Sequence, residues 1–208
     1  MVNKFENKMF QFIKTQMQQD LAHDINHVCR VVKTAKTLAL NEDAQSEIVI
    51  PAAYLHDCFS FGKHHKDRAK SAYYAANKAI EFLTSIEYPQ QYFEAIHHAI
   101  EAHSYSANVQ PMSLEAKIVQ DADRLDALGA IGIARCLQVS THLGASLYCS
   151  DDPWCQSRVP DDRRFAIDHF KTKLLTLADT MHTHSAKREA HKRTLFMQQY
   201  LAQLQAEL

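Results

Sequence analysis

Apolar residues recur at intervals of three and four along most of the chain, and no stretch shows the sustained alternation of a half-buried strand. From Asp24, a residue type suited to capping a helix, the positions Val28, Val31, Val32, Ala35, Leu38 and Ala39 form one stripe. His27 lies one turn before Val31 on the edge of that stripe and is expected to point inward. Pro51 suits the first turn of a further short helix, in which Ala52, Leu55, His56 and Phe59 share a face. Asp57 follows about 100° further round, so His56 and Asp57 can converge on one ion over the helix end. More helices are predicted over 66–84, 89–102, 113–128, 163–177 and 185–208. Residues 59–65 read as a loop. Residues 144–160, with the turn chemistry of Asp151-Asp152-Pro153 and Val159-Pro160-Asp161, read as a long ordered loop. The last helix, amphipathic through Leu195, Phe196, Tyr200, Leu201 and Leu204, is expected to pack back on the body. The fold class predicted is all-α.

Composition narrows this picture. The 208 residues fit one domain over 1–208, with a core about 20–135 and a helical extension about 161–208. A formal net charge of -1 gives no basic surface for nucleic acid, which favours a small substrate met by local charge or by a metal. Five cysteines without a C-x-x-C pair suggest reduced thiols. No run suits a signal peptide or a bilayer span, so the expectation is a cytoplasmic protein, monomer or homodimer, with no membrane partner.

Candidate chemistry centres on His27, the adjacent pair His56-Asp57 and the run Asp121-Ala122-Asp123. Imidazole and carboxylate together suit Mn²⁺, Fe²⁺, Co²⁺, Ni²⁺ or Zn²⁺, whereas carboxylates alone would favour Mg²⁺ or Ca²⁺. Asp121 and Asp123 lie about 200° apart on a helix, so they cannot face the same ion. Asp121 shares its face with Leu114, Ile118 and Leu125, and Asp123 with Ala116, Val119 and Ala127. Both faces are apolar, and spacing leaves the choice open. Lys63, His64, Lys66, Arg68 and Lys70 crowd the stretch after the His-Asp pair, where Ser71 adds a hydroxyl suited to phosphate oxygens. Of His97 and His98, about 100° apart, at most one can face the site. Tyr105 and Trp154 are candidate stacking rings.

His27, His56-Asp57 and Asp123 together match the H…HD…D signature of the HD-domain metal-dependent phosphohydrolase superfamily. The stretch EAKIVQDADRLDALGAIGIAR, Glu115 to Arg135, resembles the small bacterial HD proteins that include nucleotide pyrophosphohydrolases. The likeness extends through PMSLEAK and DHFKTKLL to the closing helix. It implies a helical bundle with a metal in its core, held by His27, His56, Asp57 and Asp123, the first Asp of an Ala-Asp-x-φ-Asp-Ala-Leu pattern in which φ is apolar. Such a metal lowers the pKa of bound water and polarises phosphoryl oxygens, so hydrolysis proceeds without a covalent intermediate. Manganese is the favoured ion, with Mg²⁺, Co²⁺, Ni²⁺, Fe²⁺ and Zn²⁺ as alternatives.

Asp57, His103 and Asp121 are expected in catalysis, His103 contacting substrate or protonating the leaving group and Asp121 hydrogen-bonding a ligand or an arginine, unless Asp121 caps or pairs structurally. Lys63, Arg68, Ser71, His103, Arg124 and Asp126 are expected to bind substrate; Asp126 can alternatively pair with Arg124 or Arg135. Cys58-Phe59-Ser60 replaces the acidic pair of alarmone hydrolases, and Ser104-Tyr105-Ser106 the glycine-tyrosine-proline element of cyclic dinucleotide phosphodiesterases. A small nucleotide phosphohydrolase remains, and the resemblance implies hydrolysis of a (deoxy)nucleoside triphosphate to monophosphate and pyrophosphate. A nucleoside monophosphate phosphatase and a non-catalytic nucleotide sensor are the alternatives.

Overall fold

The computed structural model describes residues 1–16, 24–61 and 65–208. Among these the secondary structure is helical, with no strand beyond an isolated bridge between Ser146 and Phe165. The fold is all-α, as the periodicity predicts. No described helix is long and apolar enough to cross a membrane. The residues group into two compact units, one of 1–123 with 182–186 and one of 124–181 with 187–208.

The first unit is built on α1 (Asn3–Gln16), α2 (Ile25–Asn41), α3 (Ser46–Leu55), α4 (Ser71–Ser85), α5 (Phe93–His103) and α6 (Leu114–Leu125) as far as Asp123. Asp24 caps α2 by accepting from the His27 N–H at 2.8 Å, and the predicted stripe from Val28 to Ala39 is buried. α3 packs against both α2 and α5, and α4 against α5. Almost every residue of α3 is buried, which fits its short, continuously apolar sequence.

Two features of this unit depart from the sequence reading. α1 was not among the predicted helices, yet Phe5, Met9 and Ile13, spaced four apart, bury one face of it. Glu6, Asn7 and Lys8 between Phe5 and Met9 mask the stripe, although Phe10 and Phe12 add apolar positions beside it. Pro51 does not open its helix: α3 begins five residues earlier, at Ser46. An interior proline cannot donate to the carbonyl four residues back, here that of Glu47. The Tyr88 hydroxyl supplies the missing hydrogen, donating to Glu47 O at 2.7 Å, and Tyr88 is only 2% exposed. A residue beyond α4 thus repairs the helix that leads into His56.

The second unit contains α7 (Gly129–His142), α8 (Ala166–Thr172) and all of α9 (His184–Ala206) after Ala186. α7 was not predicted either. Helical structure stops at Leu125 and resumes at Gly129, and a β-carbon at position 132 would lie 2.2 Å from the Ala127 carbonyl oxygen. Only glycine fits that approach. The predicted 163–177 helix divides into α8 and a 3-10 segment, Leu174–Thr180. α9 lays Tyr200 over Phe170, ring centroids 6.4 Å apart, and Arg193 Nη1 donates to Leu125 O at 2.6 Å.

The long loop between α7 and α8 is held by two carboxylates. Asp152 accepts from the backbone N–H groups of Gln156, Ser157 and Arg158. Asp168, fully buried, takes the Arg158 guanidinium at 2.5 and 2.8 Å and the Asp161 N–H at 2.6 Å. The loop is ordered by charge-assisted bonds rather than by apolar burial.

Candidate metal centre

Three segments of the first unit bring imidazoles and carboxylates to one point. His27 comes from the first turn of α2, His56 and Asp57 from the end of α3, and Asp123 from α6. His27 Nε2 lies 3.4 Å from His56 Nε2, 3.8 Å from Asp57 Oδ2 and 3.3 Å from Asp123 Oδ1. His56 Nε2 lies 3.5 Å from Asp57 Oδ2 and 3.9 Å from Asp123 Oδ1. Both imidazoles are 1% exposed. Donor atoms of His27, His56 and Asp57 all fall within 4.8 Å of one another.

The protonation of His56 follows from its surroundings. Its Nδ1 faces the Ala53 carbonyl oxygen at 2.8 Å, the geometry of an Nδ1–H donor, which leaves a lone pair on Nε2. Burial pushes its pKa below the ordinary imidazole value, against the pull of Asp57. Burial also works to raise the Asp123 pKa, but the hydrogen bond and charge of His27, joined by His56 and His103, hold that carboxyl well below the usual carboxylate range. An imidazole lone pair and the carboxyl groups of Asp57 and Asp123 therefore converge, and converging acceptors in a buried site call for a cation. The donor set fits a borderline divalent metal held by nitrogen and oxygen.

His103, the last residue of α5, stands on the far side of Asp57. Its Nε2 is 3.6 Å from Asp57 Oδ1 and its Nδ1 is 2.5 Å from Ile100 O. Burial alone would lower its pKa, but the hydrogen bond to Asp57 and the charges of Asp57 and Asp123 raise it. Asp57 thus turns one oxygen to His27 and His56 and the other to His103.

The HD-domain family model matches residues 24–128, which span every residue of this centre. This chain belongs to the HD-domain family. It is, with that superfamily, a metal-dependent phosphohydrolase. The adjacent His56-Asp57 lies within that match. The chain is 32% identical to the uncharacterized protein YpgQ of Bacillus subtilis over 98% of this chain and 95% of that protein. The crystal structure of YpgQ in complex with ADP superposes with a TM-score of 0.75 at 30% identity, covering 99% of this chain and 96% of that one. An HD-superfamily hydrolase from Bacillus thuringiensis superposes with a TM-score of 0.77 at 33% identity, covering 100% and 98%.

The remaining residues singled out in the HD-domain sequence take varied places. Asp121 lies outside the centre: its Oδ1 accepts from His182 N–H at 2.9 Å, and its Oδ2 from Thr183 N–H and Oγ1 at 2.8 Å each. The catalytic role expected of Asp121 has no geometric support, because both oxygens are spent anchoring the turn before α9. Its helix turns the two carboxylates apart, as their spacing requires.

Arg124 and Asp126 fall in the second unit. There Arg124 Nη1 donates to Thr180 O at 2.8 Å, while buried Asp126 takes Arg135 Nη1 at 2.6 Å. The pairing of Asp126 with Arg135, weighed in the sequence as the alternative to substrate binding, is the one formed. His97 faces Asn77 Oδ1 at 3.0 Å, and His98 accepts from Met112 N–H. Lys63, His64 and the Tyr105 side chain lie outside the described residues.

Arg68 and Ser71 both engage Phe61. Arg68 Nη1 donates to Phe61 O at 3.3 Å, and Ser71 Oγ accepts from Phe61 N–H at 3.1 Å. Sequence reasoning passed over Phe61, although the Phe59-Ser60-Phe61 triplet directly after the HD pair was a visible signal.

Proposed function

We propose that this chain hydrolyses a nucleoside triphosphate to the monophosphate and pyrophosphate, with a divalent metal, manganese foremost, held by His27, His56, Asp57 and Asp123. The observation that carries the reading is that His27 and His56, 3.4 Å apart, each lie within 3.3 to 3.9 Å of both Asp57 and Asp123, from three separate segments. A bound divalent ion supplies Lewis acidity toward phosphoryl oxygens and activates water at neutral pH. The ADP complex of YpgQ supports a nucleotide as the ligand.

The chain's own residues account for the rest of the chemistry. The Nδ1 contact with Ala53 fixes the His56 ring so that its Nε2 stays an acceptor directed at the centre. Asp57 joins the centre to His103, and its charge favours a proton on His103 Nε2. That proton can pass to the oxygen of the departing pyrophosphate, which stabilises the leaving group. Asp121 holds α6 in register through Thr183, so that Asp123 on the opposite side keeps its place.

The test is direct. Metal-free protein is incubated with a panel of nucleoside mono-, di- and triphosphates plus Mn²⁺, Mg²⁺, Co²⁺ or Ni²⁺, and phosphate is separated from pyrophosphate. Pyrophosphate released from a triphosphate is the expected result. Phosphate released from monophosphates alone would replace it with the phosphatase reading, and binding without turnover would indicate a sensor.

A further inference from the structure

Directly after the HD pair the chain carries an aromatic cluster that the metal centre does not use. Phe59 and Tyr74 meet Phe61 nearly perpendicularly, with ring centroids 4.9 and 5.4 Å away. His65 instead lies flat on Phe61, centroids 4.2 Å apart and planes within 6° of parallel. His65 is exposed and Phe61 only half-buried, so this stack sits at the surface and not in the core. A heteroaromatic ring lying parallel on a phenyl face is the arrangement a nucleobase adopts on an aromatic side chain.

The geometry points to Phe61 and His65 as a nucleobase-stacking platform for the substrate, a role that rests on the nucleotide reading above. Phe61 is four residues beyond Asp57, so its Cα lies within about 15 Å of that of Asp57. This keeps it within reach of the base of a nucleotide whose phosphates occupy the centre. The ring is also pre-positioned. Its backbone is pinned at both ends, by Ser71 Oγ on the N–H and by Arg68 on the carbonyl, and Phe59 and Tyr74 confine it from the side. Ordering the platform in advance reduces what binding must supply. Arg68 and Ser71 are then positioning residues that act through Phe61, whereas the sequence suggested direct contact with phosphate.

The experiment compares equilibrium binding of ADP and of pyrophosphate, its base-free counterpart, to manganese-loaded protein by calorimetry. Phe61→Ala is expected to weaken ADP about tenfold or more and to leave pyrophosphate within about twofold. Phe61→Trp should restore ADP binding. Ser71→Ala should weaken ADP less than Phe61→Ala, and should add nothing in the Phe61→Ala background, since both act on one ring. A phosphate-binding Ser71 would instead weaken pyrophosphate. Unchanged ADP affinity in Phe61→Ala, no ADP binding by the wild type, or equal losses for ADP and pyrophosphate would each overturn the platform. If ADP affinity depends on Phe61 but no nucleotide is turned over, the proposed reaction fails while the platform stands. Turnover with Phe61-independent ADP binding gives the reverse.

Discussion

Asp57 and His103 face each other across 3.6 Å, Oδ1 to Nε2, while the other oxygen of Asp57 turns to the paired histidines. In the proposed mechanism Asp57 serves both metal binding and proton handling, and the two roles should separate by mutation. His103→Gln should lower kcat about a hundredfold while leaving manganese content near that of wild type. Asp57→Asn should remove both metal and turnover. Metal analysis alongside steady-state kinetics decides the matter; loss of metal in His103→Gln would make that histidine a ligand instead.

Asp121 and Asp123 lie two residues apart with opposite duties. Asp123→Asn should strip metal and abolish turnover, because it removes a carboxylate from the centre. Asp121→Asn should keep the metal stoichiometry but lower the melting temperature, because three hydrogen bonds from His182 and Thr183 lose their charged acceptor. The opposite pattern would exchange the roles assigned to them.

Metal removal should also loosen the first unit. The proposed ligands, from α2, the end of α3 and α6, would cross-link these helices only when an ion binds them together, so binding free energy should add to folding free energy. Chelation is expected to lower the melting temperature and His56→Ala to cancel that effect, as read by calorimetric scans with and without manganese.

Tyr88→Phe tests the repaired helix. It removes the hydrogen that the half-buried Glu47 carbonyl receives beside Pro51 and should cost about 1 kcal/mol of stability. Pro51→Ala introduces an N–H that can take over that carbonyl, so the double variant should recover part of the loss. Chemical denaturation of the four proteins measures the cycle.

Asp168 provides a pH signature. Burial works to raise its pKa, but Arg158, the Asp161 N–H and Cys155 hold it below the ordinary carboxylate value. A carboxyl depressed on folding contributes stability that is fully present above its unfolded pKa of about 3.9 and is lost as pH falls through the folded value. Asp168→Asn should therefore be less stable than wild type at neutral pH, with the gap narrowing below about pH 4 as wild type is protonated. A gap that stays constant down to pH 3 would count against this account.

The sequence was most legible where one physical rule acted alone. The α2 stripe, the capping Asp24 and the inward His27 all follow from a period of 3.6, and the long loop at 144–160 follows from its turn residues. The centre was readable because a mixed imidazole and carboxylate set has few purposes, although periodicity could not choose between Asp121 and Asp123. That choice depends on where a distant turn, 182–183, donates its hydrogens. The same limit applies to Pro51, whose interior position is tolerable only because Tyr88 is nearby. α7 was hidden for another reason: the helical conformation is interrupted between Leu125 and Gly129 beside an apolar stretch, so its pattern merges with that of α6. Arg68 and Ser71 read as phosphate-binding residue types, but backbone groups of Phe61 have similar polarity and lie closer in the chain.

The Tyr88 phenol is useful only while position 51 lacks an amide hydrogen. Lineages that replace the proline release the tyrosine from selection for its oxygen, and lineages that lose the tyrosine first carry a defect until the proline goes. The two sites, 37 residues apart, should therefore drift as a linked pair among relatives.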